Sequence, residues 1–460
     1  MSKTIAIVGG GFCGTLCAVH LLQIQPRPFN RIVLIDAGER VARGVAYATR
    51  EPQHLLNVPA GRMSAFMGDR EHFLRFAQTI DPNITGADFL PRKLYGDYLE
   101  TLLRDAEKAA AQTGVEFLCV NESVVDVRLQ ADASVQIELR SGVSWSADKV
   151  ILALGNGAPR APSIAGKSFS VAGSRYIDDP WTEGALAAVD FTQPVLLIGT
   201  GLTAVDIVTA LRARGLRSVI HAISRHGLLP LAHRGLSHAA RELPLPLELL
   251  QQPVTVKALL RNLRGYIRRA AMDNIDWRDI LAALRRVTPQ LWRSLDTAQR
   301  ARFLRHCQTY WDVHRHRVAP TIGAQFAELV ATRQLHVRAA RLNDFQYSGE
   351  RIKVQVRNRC NLAEEWLTVG TVINCTGPAS NIERSPLPLW QALLARGLVA
   401  RDEFAIGVKT ADNYALIDAS GQPSSSIYYV GPLLKAGYWE ATAVPELREH
   451  VARLVAAMVE

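Results

Sequence analysis

The feature that most constrains the fold is a pattern that occurs twice: an apolar strand, a glycine-rich turn, an apolar helix and a second strand. The first copy reads IAIV, GGGFCG, a helix and RIVLID. Its glycines, Gly9, Gly11 and Gly14, suit a tight turn, close approach of a pyrophosphate and close helix–strand packing. Asp36 ends the second strand, where a carboxylate can accept hydrogen bonds from ribose hydroxyls. This copy predicts a dinucleotide site.

The second copy reads PVLLI, GTGLTA, a helix and SVIHAI. Its second strand ends in Ser-Arg-His instead of an acid, and Arg225 follows Ala204 by 21 residues, close to the 22 between Gly14 and Asp36. A carboxylate would repel a 2′-phosphate, whereas a guanidinium can bind one through two hydrogen bonds. We therefore expect this site to prefer NADPH over NADH. The alternative is that Arg225 is an ordinary solvated residue.

Three further strands predict how the chain connects the two copies. KVILALG and TVINCTGP both end in glycine, at Gly155 and Gly377, as strands do that return a chain from one dinucleotide-binding domain to the other. SIYYVGP ends at Gly431, and a helix is expected from about Trp439 to Val459. The N-terminus of that helix could stabilise negative charge on a bound ring.

The prediction is an α/β fold with two Rossmann-like domains. Residues 1–164 and 371–460 form the first domain, and residues 165–370 form the second. An Arg-rich helical insertion occupies about 235–330, where amphipathic spacing predicts helices over Ile275–Val287 and Thr297–Arg317.

Charge and composition exclude several classes of protein. The net charge is +10, and residues 201–320 alone hold 19 Arg and one Lys against eight Asp or Glu. This segment could attract an anionic partner or form solvated helix faces, but it lacks interleaved aromatic residues and nucleic-acid motifs. No apolar run approaches 18 residues, and the six cysteines form neither a CxxC pair nor a zinc pattern. We expect a cytoplasmic protein without a signal peptide, bound metal, nucleic acid or membrane partner; homo-oligomerisation stays open.

Several stretches together resemble one family. They are GGGFCG, GVAYATREPQHLLNVPAGRMSAF, FLPRKLYGDYLE, VLLIGTGLTAVD, VINCTGP and GPLLKAGYWEATAVPELREH. They are similar to the bacterial FAD/NAD(P)-binding proteins that include FAD-dependent urate hydroxylase and the nitrosuccinate-forming aspartate N-monooxygenases, which are related to flavin-containing and ornithine N-monooxygenases. The resemblance implies the two-dinucleotide-binding flavoprotein architecture, with FAD in the first site, NAD(P)H in the second and O₂ as co-substrate.

The expected function is that of a single-component FAD- and NADPH-dependent monooxygenase. It would use a flavin C4a-(hydro)peroxide to hydroxylate a small polar nitrogen-containing substrate. An aspartate-like amino acid is the first expectation and a urate-like heterocycle the second. The alternatives are an NAD(P)H:acceptor reductase or oxidase, and a redox-sensing partner protein without catalysis. No Ser-His-Asp, Cys-His or paired-carboxylate pattern stands out, as expected if the cofactor supplies the chemistry.

The stretch HLLNVPAGRMSAF, residues 54–66, is here called the 54–66 loop. It is too apolar for an idle surface loop, and in related monooxygenases the corresponding segment crosses the flavin edge. Leu55, Leu56 and Val58 could exclude water there. The candidate catalytic residues are Asn57 and Ser64, as neutral hydrogen-bonding groups, and Arg62, for a flavin carbonyl, a phosphate or a substrate carboxylate. The alternative is a packed loop in which Asn57 caps a turn, Arg62 makes an internal ion pair and His54 is simply hydrogen-bonded.

The remaining candidates fall into two sets. The candidate cofactor-binding residues are Gly9, Gly11, Gly14, Asp36, His54, Leu56, Val58, Gly155, Gly199, Gly201, Thr203, Ser224, Arg225, Gly377, Gly431 and Trp439. The candidate substrate-binding residues are Arg92, Lys93, Lys435 and Tyr438. The alternatives are that the two residues that open a helix at 92–93 are solvated, and that the two aromatic residues at 438–439 pack in the core.

Overall fold

The structure is a computed structural model and describes residues 3–164, 167–169, 175–235, 243–244 and 254–459. Part of the predicted insertion, residues 236–242 and 245–253, lies outside the described residues, as does the predicted domain boundary at residue 165.

The strands and helices are numbered in chain order. The strands are β1 (Thr4–Val8), β2 (Arg31–Asp36), β3 (Glu116–Asn121), β4 (Val124–Leu129), β5 (Val135–Leu139), β6 (Ser144–Ala147), β7 (Lys149–Leu152), β8 (Ser163–Ile164), β9 (Lys167–Ser168), β10 (Tyr176–Ile177), β11 (Val195–Ile198), β12 (Ile220–Ser224), β13 (Leu335–Ser348), β14 (Arg351–Asn358), β15 (Glu364–Val369), β16 (Thr371–Asn374), β17 (Ala415–Ile417) and β18 (Pro423–Tyr429). The α-helices are α1 (Phe12–Gln23), α2 (Gly44–Tyr47), α3 (His72–Gln78), α4 (Arg92–Ala111), α5 (Leu202–Ala213), α6 (Val256–Met272), α7 (Trp277–Leu284), α8 (Thr288–Ser294), α9 (Thr297–His306), α10 (Gln308–Arg315), α11 (Pro320–Ala331), α12 (Pro388–Ala395) and α13 (Val444–Ala457).

The first sheet has the order β17-β18-β7-β1-β2-β3. Strand β1 pairs in parallel with β2 on one side and β7 on the other, and β18 pairs in parallel with β7. Helix α1 is apolar around most of its circumference and is buried along almost its whole length, as expected for a helix packed on several sides. Strands from both ends of the chain therefore share one core.

The second sheet has the order β10-β16-β11-β12-β13-β14-β15. Strands β16, β11, β12 and β13 are parallel neighbours, and β13 continues into an antiparallel hairpin with β14 and β15. Helix α5 follows β11 as α1 follows β1. The predicted α/β fold is confirmed, and the parallel sheets place the two glycine turns at carboxyl ends of strands, where open α/β sheets bind ligands.

The predicted helix boundaries needed three corrections. The helix expected from Trp439 begins at Val444, because Pro445 favours the first turn of a helix and residues 439–443 form a turn before it. The helix expected over Thr297–Arg317 is divided at Cys307, which lies between the end of α9 at His306 and the start of α10 at Gln308, and α10 ends at Arg315. The helix expected over Ile275–Val287 is shorter, since the Asp276 side chain caps it by accepting from the Arg278 N–H.

The helical insertion packs against the first domain. Trp292 and Phe303 of the insertion join Trp439 in a small apolar cluster of their own. Among the described residues, no helix is both long and apolar enough to cross a membrane.

Candidate functional site

The first glycine turn joins β1 to α1. Gly11 is the N-cap of α1, and no side chain caps the helix, so its first backbone N–H groups point into the turn without a side-chain partner. A Cβ on Gly14 would overlap the carbonyl oxygen of Gly9, so protein packing alone requires glycine there. The Asp36 carboxylate accepts from the backbone N–H groups of Gly10 and Gly38, the latter at 2.6 Å. Asp36 therefore shapes the turn, whatever else it binds.

The second glycine turn repeats this geometry between β11 and α5. Gly199 has φ +121°, and a Cβ there would overlap the carbonyl oxygen of Cys375. Gly201 is the N-cap of α5 and again no side chain caps the helix. A Cβ on Gly201 would meet no protein atom within 4 Å, so packing does not require glycine at this position. Thr203 lies in the first helical turn, half-buried. An uncapped helix N-terminus beside an unobstructed backbone fits a diphosphate.

The end of β12 gathers positive charge. Arg225 is exposed, and its carbonyl accepts a hydrogen bond of 2.9 Å from Arg359. Arg359 also donates to His226 Nδ1 at 2.6 Å. Partial burial lowers the pKa of His226, and the charges of Arg359 and Arg225 lower it further. The Ser224 hydroxyl accepts from Thr200 at 2.9 Å, so Ser224 holds the turn together.

Arg359 was not among the sequence candidates. It lies in the turn between β14 and β15, 134 residues after Arg225, and only the hairpin appended to the second sheet brings it to the end of β12. No local sequence signal marks it, because a surface arginine in a hairpin turn is usually solvated. Two guanidinium groups at the end of β12 fit a 2′-phosphate better than one.

The 54–66 loop is fastened on one side to the second sheet unit. His54 Nδ1 accepts from the Thr49 hydroxyl at 2.8 Å, and its Nε2 donates to the backbone carbonyl of Asp206 on α5 at 3.1 Å. Burial lowers the pKa of His54. The Leu56 N–H donates to the Leu90 carbonyl at 2.8 Å. His54 therefore anchors the loop through these hydrogen bonds, which agrees with the alternative that His54 is simply hydrogen-bonded.

Within the loop, the side chains of the candidate catalytic residues differ in their burial and in whether they have hydrogen-bond or ion-pair partners. Ser64 is fully buried, and its hydroxyl lies 2.5 Å from the Asp69 carbonyl and 3.2 Å from that of Phe66, so it is committed to the turn. The Asn57 amide, half-buried, has no hydrogen-bond partner in the described part of the chain, and only its carbonyl is engaged. Arg62 is exposed and forms no ion pair with a described residue. Among the described residues, Arg62 therefore does not form the internal ion pair considered for it.

The apolar members of the loop divide in the same way. Leu56 is buried, whereas Leu55 and Val58 are half-buried. A short 3₁₀ turn at Ala60–Arg62 reverses the chain between them and Ser64.

Arg92 takes a different position from the one expected of a substrate anchor. Its guanidinium lies 2.9 Å from the Asp206 carboxylate, donates to the Leu55 carbonyl at 3.0 Å and is 5.9 Å from the Trp181 ring. Both charged side chains are almost fully buried. Burial raises the pKa of Asp206, and the charge of Arg92 opposes that shift. These contacts make Arg92 a link between α4 and α5, whereas Lys93 is exposed.

The candidates near the C-terminus are mostly packed. Trp439 stacks on Trp292 of the insertion at 4.8 Å, and its buried indole N–H has no partner in the described residues. The centroid of the Tyr438 ring lies 6.2 Å from that of the Tyr414 ring and 4.1 Å from the guanidinium carbon of Arg293. Core packing, the alternative considered for both aromatic residues, accounts for these contacts.

Lys435 and three glycines complete the set. Burial lowers the pKa of Lys435, opposed by the charge of Asp312, whose own pKa burial raises to about 6. Gly155 and Gly377 follow β7 and β16, and a Cβ on either would meet nothing within 4 Å. Gly431 follows β18, where a Cβ would lie 2.7 Å from the Tyr429 hydroxyl oxygen.

A known family and several solved structures are similar to this chain. Residues 6–157 match the model of a family described as FAD-NAD(P)-binding. No curated protein sequence matches the chain. Among solved structures, the chain is similar to the ornithine N-hydroxylase of Kutzneria sp. 744 with reduced FAD, NADP⁺ and L-ornithine: TM-score 0.64, 15% identity, covering 100% of this chain and 99% of that one.

Two further structures show the same fold. The L-lysine 6-monooxygenase of Pseudomonas syringae has a TM-score of 0.66 at 16% identity, covering 100% of this chain and 99% of the other. The FAD-bound cadaverine monooxygenase of Erwinia amylovora, from desferrioxamine biosynthesis, has a TM-score of 0.67 at 13% identity, covering 100% and 94%. The whole chain thus has the two-domain architecture of these proteins.

Proposed function

We propose that this chain is a single-component FAD- and NADPH-dependent monooxygenase that hydroxylates a nitrogen atom of a small amine or amino acid. The observation that carries the proposal is the pair of uncapped helix N-termini at two glycine turns, each on its own parallel sheet. The similarity in fold, over the full chain, to an ornithine N-hydroxylase and to monooxygenases of cadaverine and L-lysine supports it.

In this proposal the first turn holds FAD. The N-terminus of α1 would bind the diphosphate, and Asp36, at the end of β2, would receive the ribose. The fit rests on Gly11, where an added Cβ would meet nothing closer than 3.5 Å, so the backbone is open to a close approach. The match of residues 6–157 to an FAD-NAD(P)-binding family supports this assignment.

The second turn would hold NADPH. The diphosphate would lie against the backbone at Gly201 and the N-terminus of α5, and the 2′-phosphate would lie between Arg225 and Arg359. The absence of an acid at the end of β12 supports NADPH over NADH, since a carboxylate there would repel the extra phosphate.

The 54–66 loop would separate the reaction from water. When bound, the flavin accepts a hydride from NADPH and activates O₂, so that one oxygen atom is transferred to the substrate nitrogen. Leu55 and Val58, both half-buried, would present apolar surface toward the ring, and the free amide of Asn57 would orient the substrate or the ring edge. Ser64 would act only by holding the loop.

As the substrate we propose an aspartate-like amino acid. The excess of arginine over acid in residues 201–320 supports an anionic substrate. A urate-like heterocycle is the second candidate on the same ground, since it is also an anionic nitrogen compound.

The test is an NADPH-oxidation screen of the purified FAD-loaded protein against amino acids, diamines and purines, with mass detection of ¹⁸O from ¹⁸O₂ in the product. We expect one nitrogen compound to give a hydroxylated product with NADPH consumed in proportion. NADPH oxidation that yields only hydrogen peroxide or a reduced acceptor, whatever the substrate, would contradict the proposal in favour of an oxidase or reductase. A protein that does not bind FAD would contradict both the monooxygenase proposal and the oxidase or reductase alternative.

A variant sharpens this test. Asn57→Ala should keep FAD and NADPH oxidation but release more peroxide per product formed, because the substrate is less well oriented. Asn83→Ala, at an exposed turn before α4, is the matched control and should stay coupled. Equal coupling in both variants would remove Asn57 from the reaction.

A dithiol reductase is disfavoured by the cysteines. All six lie among the described residues as free thiols, and burial raises the pKa of Cys13 to about 12 and that of Cys17 as well. A redox dithiol needs a thiolate that forms readily near neutral pH.

A further inference from the structure

A cluster of arginines lies where the insertion meets the first domain. Here called the arginine cluster, it consists of Arg62, Arg278, Arg285, Arg315 and Arg317. Three of the five are neutralised by carboxylates in the structure.

Two of the paired members connect the insertion to the first domain, and the third is paired within the insertion. Arg285 forms a two-pronged ion pair with Glu446 of α13. Arg315 lies 2.8 Å from Glu440 and 3.4 Å from Glu446, and Arg278 lies 3.2 Å from Asp276. Their charges are used within the protein.

Arg317 is the exception. It is 9% exposed, and its Nε is buried without a hydrogen-bond partner. No described carboxylate lies within ion-pair distance of it, and the Trp277 ring centroid lies 5.8 Å from the guanidinium carbon. A buried charge without a partner is costly, so such a group requires an explanation, and a bound anionic ligand is one that would complete it.

Arg317 stays charged although its surroundings are buried and positive. Burial, together with the charges of Arg315, Arg278 and Arg62 and opposed by that of Asp276, lowers the pKa of Arg317 to about 10. This still leaves it protonated at neutral pH. His233 is neutral at pH 7, because burial and the charge of Arg317 lower its pKa to about 3.

The position of Arg317 ties it to the 54–66 loop. His233 Nε2 donates to the Asn57 carbonyl at 3.0 Å, and the backbone N–H of His233 donates to the Val318 carbonyl at 2.9 Å. His233 thus connects the 54–66 loop to Val318, and Arg317 is the residue before Val318. Tyr310, in the first turn of α10, contacts His226 of the predicted 2′-phosphate site, with 5.6 Å between the ring centroids. Arg317 lies beyond Arg315, the last residue of α10, and the helix rises about 7.5 Å from Tyr310 to Arg315, so Arg317 lies apart from that contact.

We infer that Arg317, assisted by Arg62, binds a carboxylate of the substrate beside the 54–66 loop, so that the enzyme acts on carboxylate-bearing nitrogen compounds and rejects plain diamines. This inference rests on the proposed function and specifies its substrate. A guanidinium binds a carboxylate through two parallel hydrogen bonds, and Arg317 has that donor pair uncommitted. Arg62, exposed at the loop, supplies a second cation.

The experiment measures binding by calorimetry on FAD-loaded protein with NADP⁺ present. The probes are L-aspartate, succinate and cadaverine, which has no carboxylate. We expect the wild-type protein to bind the two carboxylates and not cadaverine. Arg317→Met should weaken carboxylate binding roughly 100-fold, and Arg317→Lys about 10-fold, because a lysine keeps the charge but loses the second hydrogen bond. Arg302→Ala, an exposed arginine of α9, is the matched control.

Stability supplies a second readout. Because Arg317→Met removes a buried charge without a partner, the melting temperature of the ligand-free protein should stay unchanged or rise while carboxylate binding is lost. An arginine with a purely structural role would show the reverse, a lower melting temperature.

Three results would overturn the inference: carboxylates that fail to bind the wild-type protein, carboxylates that bind Arg317→Met equally well, or cadaverine as the preferred ligand. A loss of NADP⁺ affinity equal to the loss for carboxylates would assign Arg317 to the dinucleotide diphosphate instead, and would also overturn it. Because binding is measured without turnover, a failure of oxygen transfer would count against the proposed function alone.

Discussion

Replacing Gly201 by alanine separates the packing role of the second glycine turn from its binding role. Gly201 has φ −81° and ψ −164°, which alanine adopts freely, and the added Cβ would meet no protein atom within 4 Å. The fold should therefore accept the change. Gly199, two residues earlier, has φ +121° and no room for a Cβ beside the Cys375 carbonyl, so Gly199→Ala supplies the contrast.

The two effects can be estimated separately. A Gly→Ala change at a compatible backbone position stabilises a protein by about 0.4–1 kcal/mol, so Gly201→Ala should unfold at the same temperature or slightly higher. In the proposed complex the methyl group stands where the diphosphate approaches the backbone. Losing one charge-assisted hydrogen bond costs about 1.5–3 kcal/mol, which corresponds to an increase of roughly 10- to 150-fold in the dissociation constant for NADP⁺.

The assay pairs calorimetric titration of NADP⁺ with thermal unfolding of the nucleotide-free protein. Gly68→Ala is the matched control, because a Cβ there also meets nothing within 4 Å. Unchanged NADP⁺ affinity in Gly201→Ala would refute the placement of the diphosphate. A melting temperature lowered as far as in Gly199→Ala would show instead that Gly201 is a packing residue.

Three further predictions concern charged groups. Arg359→Ala should weaken NADP⁺ binding about 10-fold while NAD⁺ binding stays the same, whereas Arg351→Ala at the other end of β14 should change neither; equal losses for both nucleotides would remove Arg359 from the 2′-phosphate. Arg92→Ala should destabilise the protein by about 3–5 kcal/mol, since it leaves the Asp206 carboxylate buried without its partner. The double variant Arg92→Ala/Asp206→Ala should recover part of this loss. Losses of stability that simply add in thermal unfolding would contradict the pairing. The pKa of His233 is lowered from 6.5 to about 3 in the folded state, so its contribution to stability is complete above pH 6.5 and is lost as the pH falls toward 3. Between pH 7 and 4 the melting temperature of the wild type should therefore fall further than that of His233→Gln. Parallel curves of melting temperature against pH would count against this.

The parts of the fold that the sequence predicted are those written in local patterns. Both glycine turns, their flanking strands and the helices α1 and α5 follow from short apolar runs broken by glycine. The amphipathic period over Thr297–Arg317 predicts one helix, because both halves keep that period and nothing in it signals the break at Cys307.

The site depends more on distant partners. Arg92 looks like a solvated residue at a helix start, and only the approach of α5 supplies Asp206, 114 positions away. Trp439 was expected at the cofactor, but the insertion brings Trp292 against it. Such pairings depend on how the two sheets and the insertion pack, and no spacing along the chain encodes them.

Helix α5 connects two functions that the sequence keeps apart. Its N-terminus forms the second glycine turn, and one turn further along Asp206 accepts from Arg92 through its side chain and from His54 through its backbone. The first turns of one helix thus hold the proposed nucleotide turn and the start of the 54–66 loop together. Thermodynamic linkage then makes the coupling reciprocal: by whatever factor an occupied nucleotide site changes the affinity of the loop for substrate, substrate changes the affinity for the nucleotide by the same factor.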